Sequence, residues 1–312
     1  MTSAPQPRHR LKKQPHDLHR CATVDDLCAA LRARDIDLVS LVHEFVKPAA
    51  SAGILVTGSI ADGIATEVSD LDLLVLLADP HDLKERRKRE ICGNTINYLP
   101  AEAPDTTMIS LFLAGIELDL NLMVNPEVDR HAADPAPRRE ERSFGEHDPF
   151  LNRLATGWIV DGESSVRRWR RYYGTDDLRV RWMAAEFTAG AKVLEDMEAG
   201  IGLARGHASA IGAHVAMHLL SALLAQNGFF STSPNWMLKI GRLLPTVDPA
   251  MRAALTAGSE LAFPACLEDV DAERAYFDRM IEYCGTVRSL LSRQEGMADL
   301  LDSVIHDFDL IV

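Results

Sequence analysis

Cysteine is sparse: Cys21, Cys28, Cys92, Cys266 and Cys284 are the only five in 312 residues, widely scattered and never in C-x-x-C spacing. That pattern excludes a disulfide framework and a thiolate zinc site, and it implies reduced, buried thiols. Basic charge is also short, with 33 Lys and Arg against 46 Asp and Glu and a formal net charge of −13. A broad nucleic-acid surface, which depends on neutralising many phosphates, is disfavoured, whereas cationic ligands suit such a chain. No uninterrupted apolar run approaches the roughly 18 residues of a membrane span, and the opening MTSAPQPRHRLKKQPH has no leader-like apolar core. The expectation is a soluble, cytoplasmic protein with no membrane partner. What remains is globular: 47% apolar and 25% charged residues, with length for two cores, which leaves no room for disorder, collagen or coiled coil.

The chain divides by pattern. Residues 1–22 carry Arg8, Arg10, Lys12, Lys13 and Arg20 against Asp17 alone, without apolar periodicity, and are expected to be a flexible basic arm. Thr23 followed by Asp26 resembles a helix N-terminus, and Leu27, Leu31, Leu38, Leu41, Val42 and Phe45 recur at helical spacing up to Pro48. From Gly53 the period shortens. ILVTGS and DLDLLVLL are short apolar runs closed by turn residues, and 91–98, 107–113 and 116–124 supply three further strand candidates. In the last, Ile116, Leu118, Leu120 and Leu122 take one face and Glu117, Asp119 and Asn121 the other. The fold class predicted for 23–125 is α+β, a mixed sheet flanked by helices. Residues 126–149, rich in proline and charge, read as a linker. Helical periodicity over 178–200, 207–228, 234–244 and 272–292 predicts a C-terminal α-helical bundle across 150–312.

The segment that carries chemistry is Gly58-Ser59, ten residues, then Ser69-Asp70-Leu71-Asp72-Leu73, with Asp119 on a later strand. Alternation along an extended chain projects Asp70 and Asp72 from one face and sends Leu71 and Leu73 into the core. Neighbouring ionised carboxylates repel, and a hard cation such as Mg²⁺ is the compensating partner that oxygen-only ligands select. Gly58 allows backbone amides to approach a ligand closely, and Ser59 adds a hydroxyl, a pairing suited to the terminal phosphates of a nucleotide.

These residues together resemble the nucleotidyltransferase superfamily that includes DNA polymerase beta and the aminoglycoside nucleotidyltransferases. The likeness covers 53–124, and the helical half is similar in general architecture, with Ser233 to Lys239, to the acceptor-binding bundle of the antibiotic-modifying branch. The resemblance implies two Mg²⁺ ions held by Asp70, Asp72 and Asp119, a nucleoside triphosphate (ATP favoured) held by Gly58, Ser59, Ser69 and Lys239, and Asp119 as catalytic residue, with Glu117 on the same strand face as the second candidate base. The implied reaction moves a nucleoside monophosphate to a hydroxyl of a small, antibiotic-like acceptor, in resistance or biosynthesis, with release of pyrophosphate; the negative charge of the chain points to a cationic one. Two rivals stand beside it: modification of a protein or RNA, and a non-catalytic regulator built on the same fold. The residues set neither the acceptor, the base nor the oligomeric state.

Other features have plainer readings. Lys84, Arg86, Arg87, Lys88 and Arg89 suit a solvated helix face. Ser233-Pro234 is a good helix start, with Trp236 or Lys239 as nucleotide contacts. His207, His214 and His218 include a pair at i, i+4 but have no acidic residue near them in sequence, and are expected to be core or surface histidines. Asp161 and Glu186 are candidates for binding acceptor amines.

Overall fold

A computed structural model describes residues 14–47, 52–82, 90–91, 94–95, 97–100, 106–130, 149–203, 206–230, 237, 248–264, 267, 269–298 and 301–302. The chain forms two compact units: 1–138 with 156–173, and 139–155 with 174–312.

The first unit begins with two short helices, α1 (Val24–Arg32) and α2 (Leu38–His43). Each is started by a side-chain cap: Thr23 Oγ1 accepts from Asp26 N at 3.2 Å and Asp37 Oδ1 from Ser40 N at 2.8 Å, which satisfies amides that the first turn leaves unpaired. The strands are β1 (Gly53–Thr57), β2 (Leu71–Leu77), β3 (Glu90–Ile91), β4 (Asn94–Thr95), β5 (Asn97–Pro100), β6 (Thr106–Leu113), β7 (Ile116–Val124) and β8 (Trp158–Asp161). Six of them make a mixed sheet in the order β5-β6-β7-β2-β1-β8, while β3 and β4 pair separately. Helix α3 (Gly58–Ala61) follows β1, α4 (Glu127–Arg130) follows β7, and α6 (Glu163–Tyr173) follows β8.

Strand alternation gives the sheet two different faces. One is wholly apolar: Ile54 and Val56, Leu71, Leu73, Val75 and Leu77, and Ile116, Leu118, Leu120 and Leu122 pack with Leu27, Leu31, Leu38, Leu41 and Val42 of the two capped helices. On the other, α6 covers β1 and β2, and its Val166 and Trp169 are buried. That helix was not anticipated, because ESSVRRWRRYY has only three or four apolar positions among its charges. The predicted helical region opened at 150, yet 156–173 belong to the sheet unit: the four-residue β8 is too short to announce itself, and pairs antiparallel with β1. The basic arm is likewise shorter than expected. Leu18 is fully buried in the first core, His16 N donates to Glu67 O at 2.7 Å and Gln14 N to Gly115 O at 3.2 Å, so one leucine and two backbone hydrogen bonds dock residues that sequence polarity assigns to solvent. The predicted strand over 91–98 is divided among β3, β4 and β5.

The second unit is helical, as its periodicity predicts: α5 (Pro149–Thr156, whose last residue is counted with the first unit), α7 (Leu178–Gly200), α8 (His207–Gln226), α9 (Pro249–Leu261) and α10 (Val270–Leu291). Helix α9 was not expected, although Asp248 and Pro249 form a clear start, Asp248 Oδ1 accepting from Ala250 N and Met251 N. The stretch 234–244 lies outside the described residues apart from Met237. Helix α8 is the core element, packed against α7, α9 and α10; by length and composition alone it could cross a bilayer, but 61% of its apolar window is buried inside the protein. Polar side chains tie the helices together. Trp182 Nε1 donates to Ser221 Oγ (3.0 Å), Gln226 Nε2 to Leu290 O (3.0 Å), and Gly202 N to the buried Glu273 carboxylate (2.8 Å).

Tyr276 is fully buried and donates to Leu261 O at 2.6 Å. Burial pushes its hydroxyl up to about 12, and that of the Cys284 thiol also to about 12. Because the folded form holds each proton more tightly than the unfolded chain, the tyrosine's contribution is complete below pH 10 and the cysteine's below pH 9, and both are lost as pH rises toward 12. Denaturant unfolding measured across that window should show stability falling, and Tyr276→Phe should remove of order 2 kcal/mol of the fall, at a constant cost of about 1 kcal/mol for the missing hydrogen bond. An unchanged pH slope in the variant would contradict this.

Candidate functional site

The polar face of the sheet carries one uninterrupted polar row. Asp72 on β2 lies opposite Thr57 on β1 and opposite Asp119 on the parallel strand β7; Asp119 lies opposite Ser110 on β6, and Ser110 opposite Asn97 on β5. Adjacent positions in such a row are about 4.8 Å apart, so the Asp72 and Asp119 carboxylates are side-by-side neighbours. The next row along the strands, Leu55, Leu74, Asn121 and Met108, is mainly apolar.

Each member is fixed by its own element. Asp119 is 8% exposed, and Ser110 Oγ donates to its Oδ1 at 2.5 Å. The register that makes this contact comes from the hairpin turn Ala114-Gly115, both residues having positive φ (47° and 81°), the two-residue loop that aligns Leu113 with Ile116 and hence Ser110 with Asp119. Gly58 sits at φ 68° directly after β1, and a Cβ there would fall on Asp72 Oδ2. Only glycine lets the chain turn this close to the carboxylate. Around the row, Thr57 Oγ1, Ser59 Oγ and Asn121 Nδ2 are buried without a hydrogen-bond partner among the described residues. Three orphaned polar groups beside two carboxylates are costly unless something binds there.

The other sequence candidates take different places. Asp70 stands just before β2, half-buried. Ser69 is spent on the turn that leads to it: its Oγ accepts from Thr66 N at 2.8 Å, and its carbonyl oxygen accepts from His16 Nε2 at 2.7 Å. Glu117 lies one row further out, opposite Phe112. Asp161 is exposed at the end of β8. Lys239, Trp236 and the basic run from Lys84 to Arg89 lie outside the described residues. Sequence reasoning passed over Thr57 and Ser110, although counting across the two-residue turn finds Ser110.

Among the described residues no three His, Cys, Asp or Glu side chains converge on a metal-sized point. The donor set nonetheless fits a hard divalent ion in kind: two neighbouring carboxylates, a third acid just outside the strand, a glycine cradle and unsatisfied hydroxyls, all oxygen donors.

The family model of the nucleotidyltransferase domain matches residues 37–146. Most of the matched segment belongs to the first unit. Within it fall the glycine cradle and the acidic row, so the site lies inside the matched segment. A nucleotidyltransferase-like protein from Exiguobacterium sibiricum 255-15 overlays 89% of this chain and 86% of its own at 15% identity with a TM-score of 0.32. A chain of the GLD-2/RNP-8 complex overlays 85% and 81% at 15% identity with a TM-score of 0.24. Both superpositions are loose. No curated protein matches the sequence.

The second unit holds a cluster that corrects two sequence expectations. Glu186 is not open to an acceptor amine, being 1% exposed, and His218 Nδ1 donates to its Oε2 at 2.8 Å. The histidine pair therefore does have an acidic partner, supplied by α7 across the helix interface.

Gly58→Ala should destabilise the protein by about 2–3 kcal/mol, from a left-handed alanine and a displaced Asp72. Urea unfolding checks this; wild-type stability would mean that the carboxylate swings away at no cost.

Proposed function

We propose that the nucleotidyltransferase domain transfers a nucleoside monophosphate, AMP in the favoured version, from a nucleoside triphosphate to a hydroxyl of a small cationic acceptor. The observation that carries this reading is the polar row Thr57–Asp72–Asp119–Ser110 with Gly58 pressed against Asp72. Backbone at Gly58 and the hydroxyls of Thr57 and Ser59 receive the triphosphate, which satisfies polar groups otherwise buried without partners. Asp70, Asp72 and Asp119 are the residues that would hold Mg²⁺, whose charge lowers the pKa of the acceptor hydroxyl and offsets that of the departing pyrophosphate. The acceptor oxygen bonds to the α-phosphorus as the bond from that phosphorus to the β-phosphate bridging oxygen breaks. Asp119, its carboxylate fixed by Ser110, takes the hydroxyl proton. Glu117, one row out, is the alternative base. A small cationic acceptor suits the acidic body of a chain with net charge −13.

The direct test incubates the full chain with Mg²⁺, each nucleoside triphosphate in turn and a panel of amine-bearing alcohols, and weighs the products. A mass gain of one nucleotidyl group with stoichiometric pyrophosphate supports the reading. Labelling of added protein or RNA alone would replace the acceptor class.

Asp119→Asn should leave triphosphate affinity within a few-fold of wild type and slow single turnover by about 10³-fold, equivalent to about 4 kcal/mol of barrier. Glu117→Gln should be milder. Near wild-type turnover in Asp119→Asn would transfer the base role to Glu117.

A further inference from the structure

We infer that His214 and His218 form a binding site for one imidazole-preferring divalent ion of the Zn²⁺ type, with Glu186 as the outer carboxylate that orients it. The inference is independent of the nucleotide reading and concerns the helical unit alone.

Three observations carry it. His214 and His218 stand at i, i+4 on α8, one face of one helix, with ring centroids 4.6 Å apart and their Nε2 atoms 3.1 Å apart. Two nitrogens bound to one zinc at its usual bond length lie about 2.9 Å apart at a right angle and about 3.4 Å apart at the tetrahedral angle. The two Nε2 atoms share a hydrogen bond at a separation between these values, so the ion would take the place of the proton between them, each ring turning its lone pair from its neighbour toward the ion.

The second observation is the carboxylate. Glu186 is buried on α7 and accepts from His218 Nδ1. A carboxylate at this position accepts from Nδ1–H of a neutral imidazole and leaves that ring's Nε2 as the lone-pair nitrogen, on the side of His214. This is the carboxylate–histidine arrangement that fixes ligand tautomer and raises basicity in metal centres. Helix packing builds it: Gly190, one turn beyond Glu186, has no side chain, and a Cβ there would come within 3.2 Å of Leu219 and 3.4 Å of His218 Cβ.

The third is access. His214 is exposed and the His218 side chain is 23% exposed, so an ion arriving from solvent meets both nitrogens and keeps water at its other positions. Two nitrogens with no third protein ligand among the described residues make an open site. Imidazole donors select Zn²⁺, Ni²⁺ or Cu²⁺ over Mg²⁺, which separates this site from the oxygen-lined one in the first unit.

The test titrates Zn²⁺ into the full chain by calorimetry in excess Mg²⁺, with thermal unfolding in parallel. Wild type should bind one ion that His214→Ala lacks, and zinc should raise the unfolding temperature of wild type more than that of the variant, because the ion bridges successive turns of α8. Glu186→Gln should bind 10–100-fold more weakly. If that buried substitution fails to fold, the exposed His214→Ala still decides the matter. In the Cu²⁺-loaded wild type, paramagnetic resonance should show two coupled nitrogens. Equal zinc stoichiometry, affinity and thermal shift in wild type and His214→Ala would overturn the inference, as would an absence of zinc binding by wild type.

Discussion

The electrostatic repulsion between Asp72 and Asp119 is the constraint around which the first unit is arranged. Parallel pairing of β2 with β7 sets the two carboxylates in the same row, on the same face, with Asp119 almost shielded from water. Two like charges at such spacing in a partly desolvated place favour protonation of one of them or the arrival of a cation. The surroundings suit the proposed cation. Ser110 donates to one carboxylate, glycine backbone crowds the other, and nearby hydroxyls are left without partners. The apolar face opposite, filled by aliphatic side chains from β1, β2 and β7, keeps the sheet rigid enough to hold this arrangement.

The two units use buried carboxylates differently. In the sheet unit the acids are aligned by strand register, beside hydroxyls that have no partner among the described residues. In the helical unit Glu186 and Glu273 are buried singly and answered within the protein, by an imidazole and by a backbone amide. A buried charge with a protein partner fixes geometry, whereas neighbouring charges near unsatisfied donors call for a ligand. That difference underlies the two proposals, nucleotide chemistry in the first unit and a softer ion in the other.

Much of this was legible in the sequence because strands alternate. Leu71 and Leu73 inward with Asp72 outward, and the Ile116-to-Leu122 stripe against Asp119, follow from a period of two, and the nucleotidyltransferase resemblance rested on those positions. Ser110 was readable in principle through the Ala114-Gly115 turn but carries no motif of its own. Glu186 and His218 were not readable as a pair: they are 32 residues apart on separate helices, and which helical faces meet is decided by small residues such as Gly190 rather than by local pattern. Residues 156–173 escaped for a related reason, since a four-residue edge strand and a charged helix gain their place from the sheet they cover.

The account depends on a cation answering the paired carboxylates, and the most direct measurement of that is calorimetric titration of ATP into the full chain with Mg²⁺ and again with excess chelator. Binding is predicted only with the metal, and Asp72→Asn should weaken it strongly. Equal affinity in Mg²⁺ and in chelator would contradict the central claim.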